Sequence, residues 1–177
     1  GADAVEEEVH GAQARDAGLW LPHMPVEWGG MGLGHVELAM VQAEAAKSYY
    51  GPWVMNCQAP DEGNMHTLLH WATPEQKEKY LRPLCKGHMM SCFAMTEHGH
   101  GSNVAALDTV AVYDAQAQEF IITTTREDAY KDYIGNAARH AELAVVFAQL
   151  EVAGESHGVH AFVVRIREGG EPVAGVR

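Results

Sequence analysis

Positive charge is scarce in this sequence. Twelve Lys and Arg stand against 24 Asp and Glu, for a formal net charge of -12. Nucleic acid is thereby excluded as the expected partner, because phosphate binding needs clustered Lys and Arg. Cysteine is scarce too: Cys57, Cys85 and Cys92 are an odd number with no CxxC spacing. That excludes a disulfide framework and predicts reduced thiols in a cytoplasm-like compartment, or an organelle lumen if the source is eukaryotic, rather than secretion. No apolar run approaches the ~20 residues of a membrane span, and no signal-like segment opens the chain. Repeats and low-complexity linkers are missing as well. What is present is an ordinary globular composition, 47% apolar and 20% charged, in 177 residues. That length holds one domain or two small ones.

The first half reads as helical. Val36, Ala39, Met40, Ala43 and Ala46 recur three and four apart, as do Met65, Leu68, Leu69 and Ala72 within 61–72. Thr73-Pro74-Glu75-Gln76 is a helix start, with Thr73 as cap, Pro74 in the first turn and Gln76 completing a capping box. That helix is predicted to run to about Leu84, with Tyr80, Leu81 and Leu84 inward and Lys86-Gly87 closing it. The acidic run Glu6-Glu7-Glu8 reads as a solvated helix face.

After about Ser91 the period shortens to that of strands. Residues 109–113 and 120–124 are β-rich runs, and the stretch 114–119 between them predicts a hairpin turn. Residues 143–152 and 159–166 form a second pair around a loop at 153–158. The expectation is an α+β chain, a helical domain at 1–91 followed by an antiparallel, barrel-like β domain at 92–177. Both ends fall within structure that should continue, which predicts a fragment of a longer chain.

The junction carries Cys92-Phe93-Ala94-Met95-Thr96-Glu97-His98-Gly99-His100-Gly101-Ser102-Asn103. It reads as a short apolar strand entering a loop of glycines and hydroxyls. Glycines let a backbone approach a ligand, and open N–H groups receive phosphate or carbonyl oxygens. Taken alone, such a loop is more often an ordinary turn.

Other features make it specific. Phe-Ala-Met-Thr-Glu followed by Gly-x-Gly-Ser is similar to the flavin-binding signature of the acyl-CoA dehydrogenase superfamily, which includes the acyl-CoA oxidases. The stretches 19–32 and 73–81, and Lys131-Asp132-Tyr133-Ile134-Gly135-Asn136, resemble further family segments in the same order. Up to about Glu97 the likeness is to dehydrogenases. From His98 onward, including 158–162, it is to oxidases.

The resemblance implies FAD as cofactor and acyl-CoA as substrate. Met95 and Thr96 then give backbone and hydroxyl contacts to the flavin, and Phe93 walls the substrate side. Gly101 and Ser102 meet the flavin pyrophosphate and the acyl-CoA, and Tyr133 packs on the flavin. Gly135 stands where many dehydrogenases have Thr. The family's oxidases have Gly there, which tips the expectation toward an oxidase. The reaction implied is α-proton removal by a carboxylate and β-hydride transfer to the flavin, giving a trans-2-enoyl-CoA in fatty-acid β-oxidation. The family's base is a Glu in a C-terminal helical domain that this chain lacks, so the chain alone should not turn over. Glu97 reads as structural. The resemblance further implies a dimer or tetramer, with an electron-transfer flavoprotein as partner for a dehydrogenase or O2 for an oxidase. The alternative is a non-catalytic flavin-fold subunit or scaffold.

Residues outside these motifs read more plainly. His66 and His70 have the spacing of a two-His metal face, with no third ligand in view. His98 and His100 read as loop surface, the four Trp as core or interface, and Cys92 as a buried small residue.

Overall fold

A computed structural model describes residues 11–176; the opening acidic run at 6–8 lies outside them. The chain divides between Met90 and Ser91 into two compact units.

In the first unit, α1 (His35–Ala45), α2 (Gly51–Val54), α3 (Asp61–Trp71) and α4 (residues 74–85) surround a coiled segment at 17–32. The capping box forms as written. Thr73 Oγ1 accepts from Gln76 N at 3.3 Å, and Gln76 Oε1 accepts from Thr73 N at 2.9 Å. The helix behind it is not uniform, because Lys77–Leu81 is a π turn. Pro83 supplies the reason: it lacks an N–H and its ring crowds the carbonyl one turn back, and a wider turn upstream absorbs both. Gly87, with φ +67, ends the helix.

The core holds Leu21, Met24, Met65, Leu81 and Leu84, each at most 1% exposed. Each contributes roughly 1.5–3 kcal/mol by leaving water. Trp20 closes one side, donating Nε1–H to Cys85 O at 2.8 Å beneath the Arg15 guanidinium. The stripe on α1 faces water. Val36 and Met40 are about 70% exposed, and Leu38, Val41, Gln42 and Ala45 are the half-buried face.

The segment at 17–32 folds back on itself. Leu21 N donates to Met55 O, Met24 N to Leu21 O, Gly30 N to Pro25 O and Gly32 N to Met24 O. A Cβ on Gly30 would sit 2.1 Å from Met24 O and 2.7 Å from Leu21 O, so this approach admits glycine alone.

His23 sits inside this coil. Burial, and after it the charge of His66, holds its imidazole down at about 4. An unfolded histidine titrates near 6.5. Between those values the unfolded chain binds a proton that the folded chain does not. Stability therefore falls as pH drops from about 6.5 to about 4, and this group adds no slope on either side. In EDTA-containing buffer we expect a loss of roughly 3 kcal/mol across that window. Tryptophan fluorescence during urea unfolding reads it, since all four Trp lie in this unit. A wild-type midpoint that ignores pH, or a His23→Leu variant that keeps the slope, contradicts the assignment.

The second unit is built on one long strand. β1 (Ser91–Ala94), β2 (Val110–Asp114), β3 (Glu119–Thr123), β4 (Leu143–Val152) and β5 (Glu155–Arg165) form a five-stranded sheet, and β6 (Arg167–Glu168) and β7 (Glu171–Pro172) a small separate one. β4 is the spine. Its first half pairs with β1 (Ser91↔Leu143 to Ala94↔Val146) and its second half with β2 (Val110↔Gln149 to Val112↔Glu151), both parallel. β5 runs antiparallel along the opposite edge. Leu143, Ala144 and Val145 are each buried, as strands covered on both faces are.

Two expectations fail here. The sheet is open and mixed rather than an antiparallel barrel, because β1 and β2 join β4 in parallel and β3 pairs only with β2 among the described residues. The loop expected at 153–158 is a two-residue turn, Ala153-Gly154, with φ 52 and 81. Residues 155–158 belong to β5, where solvent exposure explains their polar composition.

Candidate functional site

β1 delivers the junction motif to a corner of the second unit. Phe93 is half-buried and packs on Phe147, ring centroids 4.7 Å apart. Met95 and Thr96 follow the strand and are half-buried, and Glu97 is 2% exposed.

Glu97 is the hub of the corner. Its Oε1 accepts from Thr109 N at 2.9 Å, Thr109 Oγ1 at 2.6 Å and Lys131 Nζ at 3.1 Å, and its Oε2 accepts from Asp108 N at 2.8 Å. Burial alone would raise its pKa. The bonds from Thr109, Asp108 and Lys131 outweigh burial and hold the carboxyl below its usual range. Lys131 spends its three protons on Glu97, Met95 O at 3.0 Å and Phe147 O at 2.7 Å. Burial lowers the Lys131 pKa, and Glu97 only partly opposes it. The ammonium thus fastens β4 to the end of the β1 segment.

The same corner brings three of the expected site residues together. Asp132 N donates to Thr96 O at 3.1 Å and His98 N to Tyr130 O at 2.9 Å, so residues 96–98 run against 130–132. The resemblance at 131–136 implies a second flavin-contacting strand. Only Lys131 bridges, and the chain then turns, with Tyr133 at φ 58 and Asn136 at φ 68. Asp132 Oδ1 accepts from Tyr133 N at 2.8 Å and Asn136 Nδ2 donates to Ser91 O at 3.2 Å, pinning both ends of the turn. Tyr133 stands 88% exposed on it. Gly135 is exposed between these pins.

Glu97 and His100 exchange backbone bonds at 3.1 Å, which folds the chain back and puts Gly101 across from Thr96. The two glycines of the loop differ. A Cβ on Gly99 would meet Asp128 O at 3.1 Å, whereas one on Gly101 would meet nothing within 4 Å. The fold explains Gly99 but not Gly101. Gly101 and Ser102 are exposed.

Met95 has its N–H bonded to Phe93 O and its carbonyl taken by Lys131. The N–H groups of Thr96, Gly101, Ser102 and Asn103, and the hydroxyls of Thr96 and Ser102, have no partner among the described residues. An exposed aromatic ring held on a strained turn, next to open amides and hydroxyls, suits a flat ligand carrying an anionic tail.

His100 is not loop surface. It is half-buried, with Nε2 3.0 Å from Asp108, which also binds Arg126 at 2.7 Å. His98 is exposed, 3.6 Å from Asp132, and lines an open cleft of about 620 Å³ with Glu127, Asp128, Tyr130, Asp132 and Lys131, whose ammonium is already bound by Glu97. Three carboxylates against one committed ammonium make this cleft a poor place for phosphate. Asp108, Thr109 and Arg126 complete the polar network around Glu97 and His100, and motif reading missed them.

A model of the N-terminal domain of acyl-CoA dehydrogenases matches residues 2–88, and one of the middle domain of the same enzymes matches residues 92–176. Among curated proteins, peroxisomal acyl-coenzyme A oxidase 3 of Arabidopsis thaliana is 46% identical over 98 residues, 55% of this chain and 14% of that protein. Among solved structures, a putative acyl-CoA dehydrogenase from Mycobacterium abscessus aligns with TM-score 0.80 at 28% identity, over 93% of this chain and 40% of that one. Acyl-CoA oxidase-2 of Caenorhabditis elegans, bound with FAD, ascaroside-CoA and ATP, aligns with TM-score 0.60 at 35% identity, over 66% of this chain and 18% of that one. The chain thus spans well under two thirds of each relative.

Proposed function

The chain belongs to the acyl-CoA dehydrogenase family, and on that premise we propose that it is the flavin-holding part of an enzyme that oxidises acyl-CoA to trans-2-enoyl-CoA. The observation that carries the reading is the corner at Thr96, Gly101 and Tyr133, whose open amides, open hydroxyls and exposed ring answer to no need of the fold itself. FAD has the matching parts, a flat ring system and a pyrophosphate. Thr96 holds the ring system through its N–H and hydroxyl, with Met95 beside it, while Tyr133 packs on it. Gly101 and Ser102 receive the pyrophosphate and the acyl-CoA, and Phe93 walls the substrate side. When bound, FAD supplies the acceptor for the hydride that leaves the substrate β-carbon.

Glu97 is not the base. Both of its oxygens are committed to donors and none faces the open corner. The α-proton is then removed by a carboxylate other than Glu97. Gly135 leaves the turn after Tyr133 without a side chain, which gives O2 access and favours the oxidase form of the reaction. The peroxisomal relative supports the same branch and an organelle lumen as the site of action.

The test is the absorbance of the purified full-length protein before and after anaerobic addition of a mid-chain acyl-CoA. A flavin band that bleaches, with peroxide formed on admitting air, is the expected result. Thr96→Val is expected to weaken FAD binding by about tenfold, the equivalent of one hydrogen bond at a charged or strongly polarised ligand. A protein that stays colourless with added FAD defeats the proposal. A flavin band that no acyl-CoA bleaches assigns the corner to a non-catalytic subunit instead.

A further inference from the structure

Two clusters of metal-ligating residues lie outside the proposed flavin corner's chemistry. The tighter one is Glu97, His100 and Asp108, whose ligand atoms lie within 4.8 Å of one another. It is already satisfied. Glu97 accepts four donors, and Asp108 holds His100 and the Arg126 guanidinium. A cation there would displace Lys131 and Arg126.

The second cluster, in the first unit, has the opposite character. His66 and His70 stand one turn apart on α3, rings 12° from parallel and 6.3 Å between centroids. The ring of His23 lies 5.4 Å from that of His66. His23 is 8% exposed, and neither of its ring nitrogens has a hydrogen-bond partner. A buried imidazole in that state costs about 1–3 kcal/mol for each unmet polar atom. No ring nitrogen of His66 or His70 has a hydrogen-bond partner among the described residues either. His23 is also held rigidly, because its neighbours Leu21 and Met24 are fully buried and bonded to each other through the backbone.

We propose that His23, His66 and His70 bind one divalent transition-metal ion of the class that prefers imidazole nitrogen, such as Zn(II), Ni(II) or Cu(II). Metal–nitrogen bonds of about 2.0–2.1 Å place the centroids of two rings sharing an ion roughly 5–6 Å apart. The His23–His66 separation of 5.4 Å lies in that range; His66 and His70, at 6.3 Å and nearly parallel, reach it once a ring turns. The spacing of His66 and His70 lacked a third ligand in the sequence, and the coil at 17–32 supplies it from more than forty positions away. Exposed His70 completes the site by turning about its side-chain torsions. The ion ties the coil to α3 and satisfies the buried ring.

The test is calorimetric titration of the EDTA-dialysed chain with Zn(II), with Co(II) absorbance reporting coordination. One ion per chain at micromolar affinity or tighter is expected, with a rise in the unfolding midpoint of the tryptophan-containing unit. His70→Ala, at an exposed position, leaves the fold intact and lowers affinity by about tenfold or more. His66→Ala/His70→Ala abolishes stoichiometric uptake. Absence of saturable binding overturns the proposal. So does unchanged affinity in the double variant, which would place the ion on other histidines of the chain.

Discussion

Lys131→Met is expected to destabilise the second unit by about 3–5 kcal/mol, the cost of leaving one member of a buried ion pair without the other. Glu97 has a side chain 0% exposed and Lys131 one 15% exposed. The methionine leaves Glu97 charged and short of a donor, and leaves the carbonyls of Met95 and Phe147 without the ammonium that joins them. Pairing it with Glu97→Gln removes the stranded charge but keeps an acceptor for Thr109. The double variant should therefore recover roughly 2 kcal/mol relative to Lys131→Met alone. Hydrogen exchange of the β4 amides reads this unit, since tryptophan fluorescence reports only the other. Equal loss in single and double variants would mean that the pair is not coupled, and a Lys131→Met chain with wild-type protection would remove Glu97 as the hub.

Gly30→Ala carries an effect of similar size in the first unit. The added carbon would lie 2.1 Å from Met24 O and 2.7 Å from Leu21 O, both backbone atoms of the coil. No side-chain rotation relieves that contact, so the coil must open around Leu21 and Met24. About 3 kcal/mol or more of destabilisation is expected, seen as a lowered urea midpoint by tryptophan fluorescence. Gly101→Ala, in the second unit and read there by hydrogen exchange, is the comparison. Its added carbon meets nothing, so stability should change by less than about 0.5 kcal/mol. A Gly30→Ala chain as stable as Gly101→Ala would show that the coil has slack.

These two positions also mark what the sequence discloses. The start of α4 was legible because a capping box is a local device, complete within Thr73 to Gln76. The β2–β3 hairpin was legible for the same reason. The parallel joins of β4 were not, because they link strands distant in sequence and leave no turn between them to read. The spacing on α1 could not tell which face is buried, because the helix is apolar on both faces, with Leu38, Val41 and Ala45 opposite Val36 and Met40. At the candidate site the motif located the corner but not its wiring. Glu97 in an apolar setting signals that a cation must meet it, yet only the fold selects Lys131 from the 12 Lys and Arg. Likewise Met95 and Thr96 were equivalent on paper. The bonds to Phe93 O and from the Lys131 ammonium occupy Met95, whereas the N–H and hydroxyl of Thr96 stay open.

The arrangement of β4 also sets an order of assembly. Its antiparallel partner β5 is reached through the two residues Ala153-Gly154. β1 and β2 meet it from about fifty and about forty positions upstream, so their loop-closure entropy is the larger by far. The β4–β5 hairpin is therefore the cheap local nucleus and the parallel seams close late. Phe93 to Ser102 hang from the β1 seam, which makes the proposed flavin corner the last part of the sheet to take shape and the first to be lost when it frays.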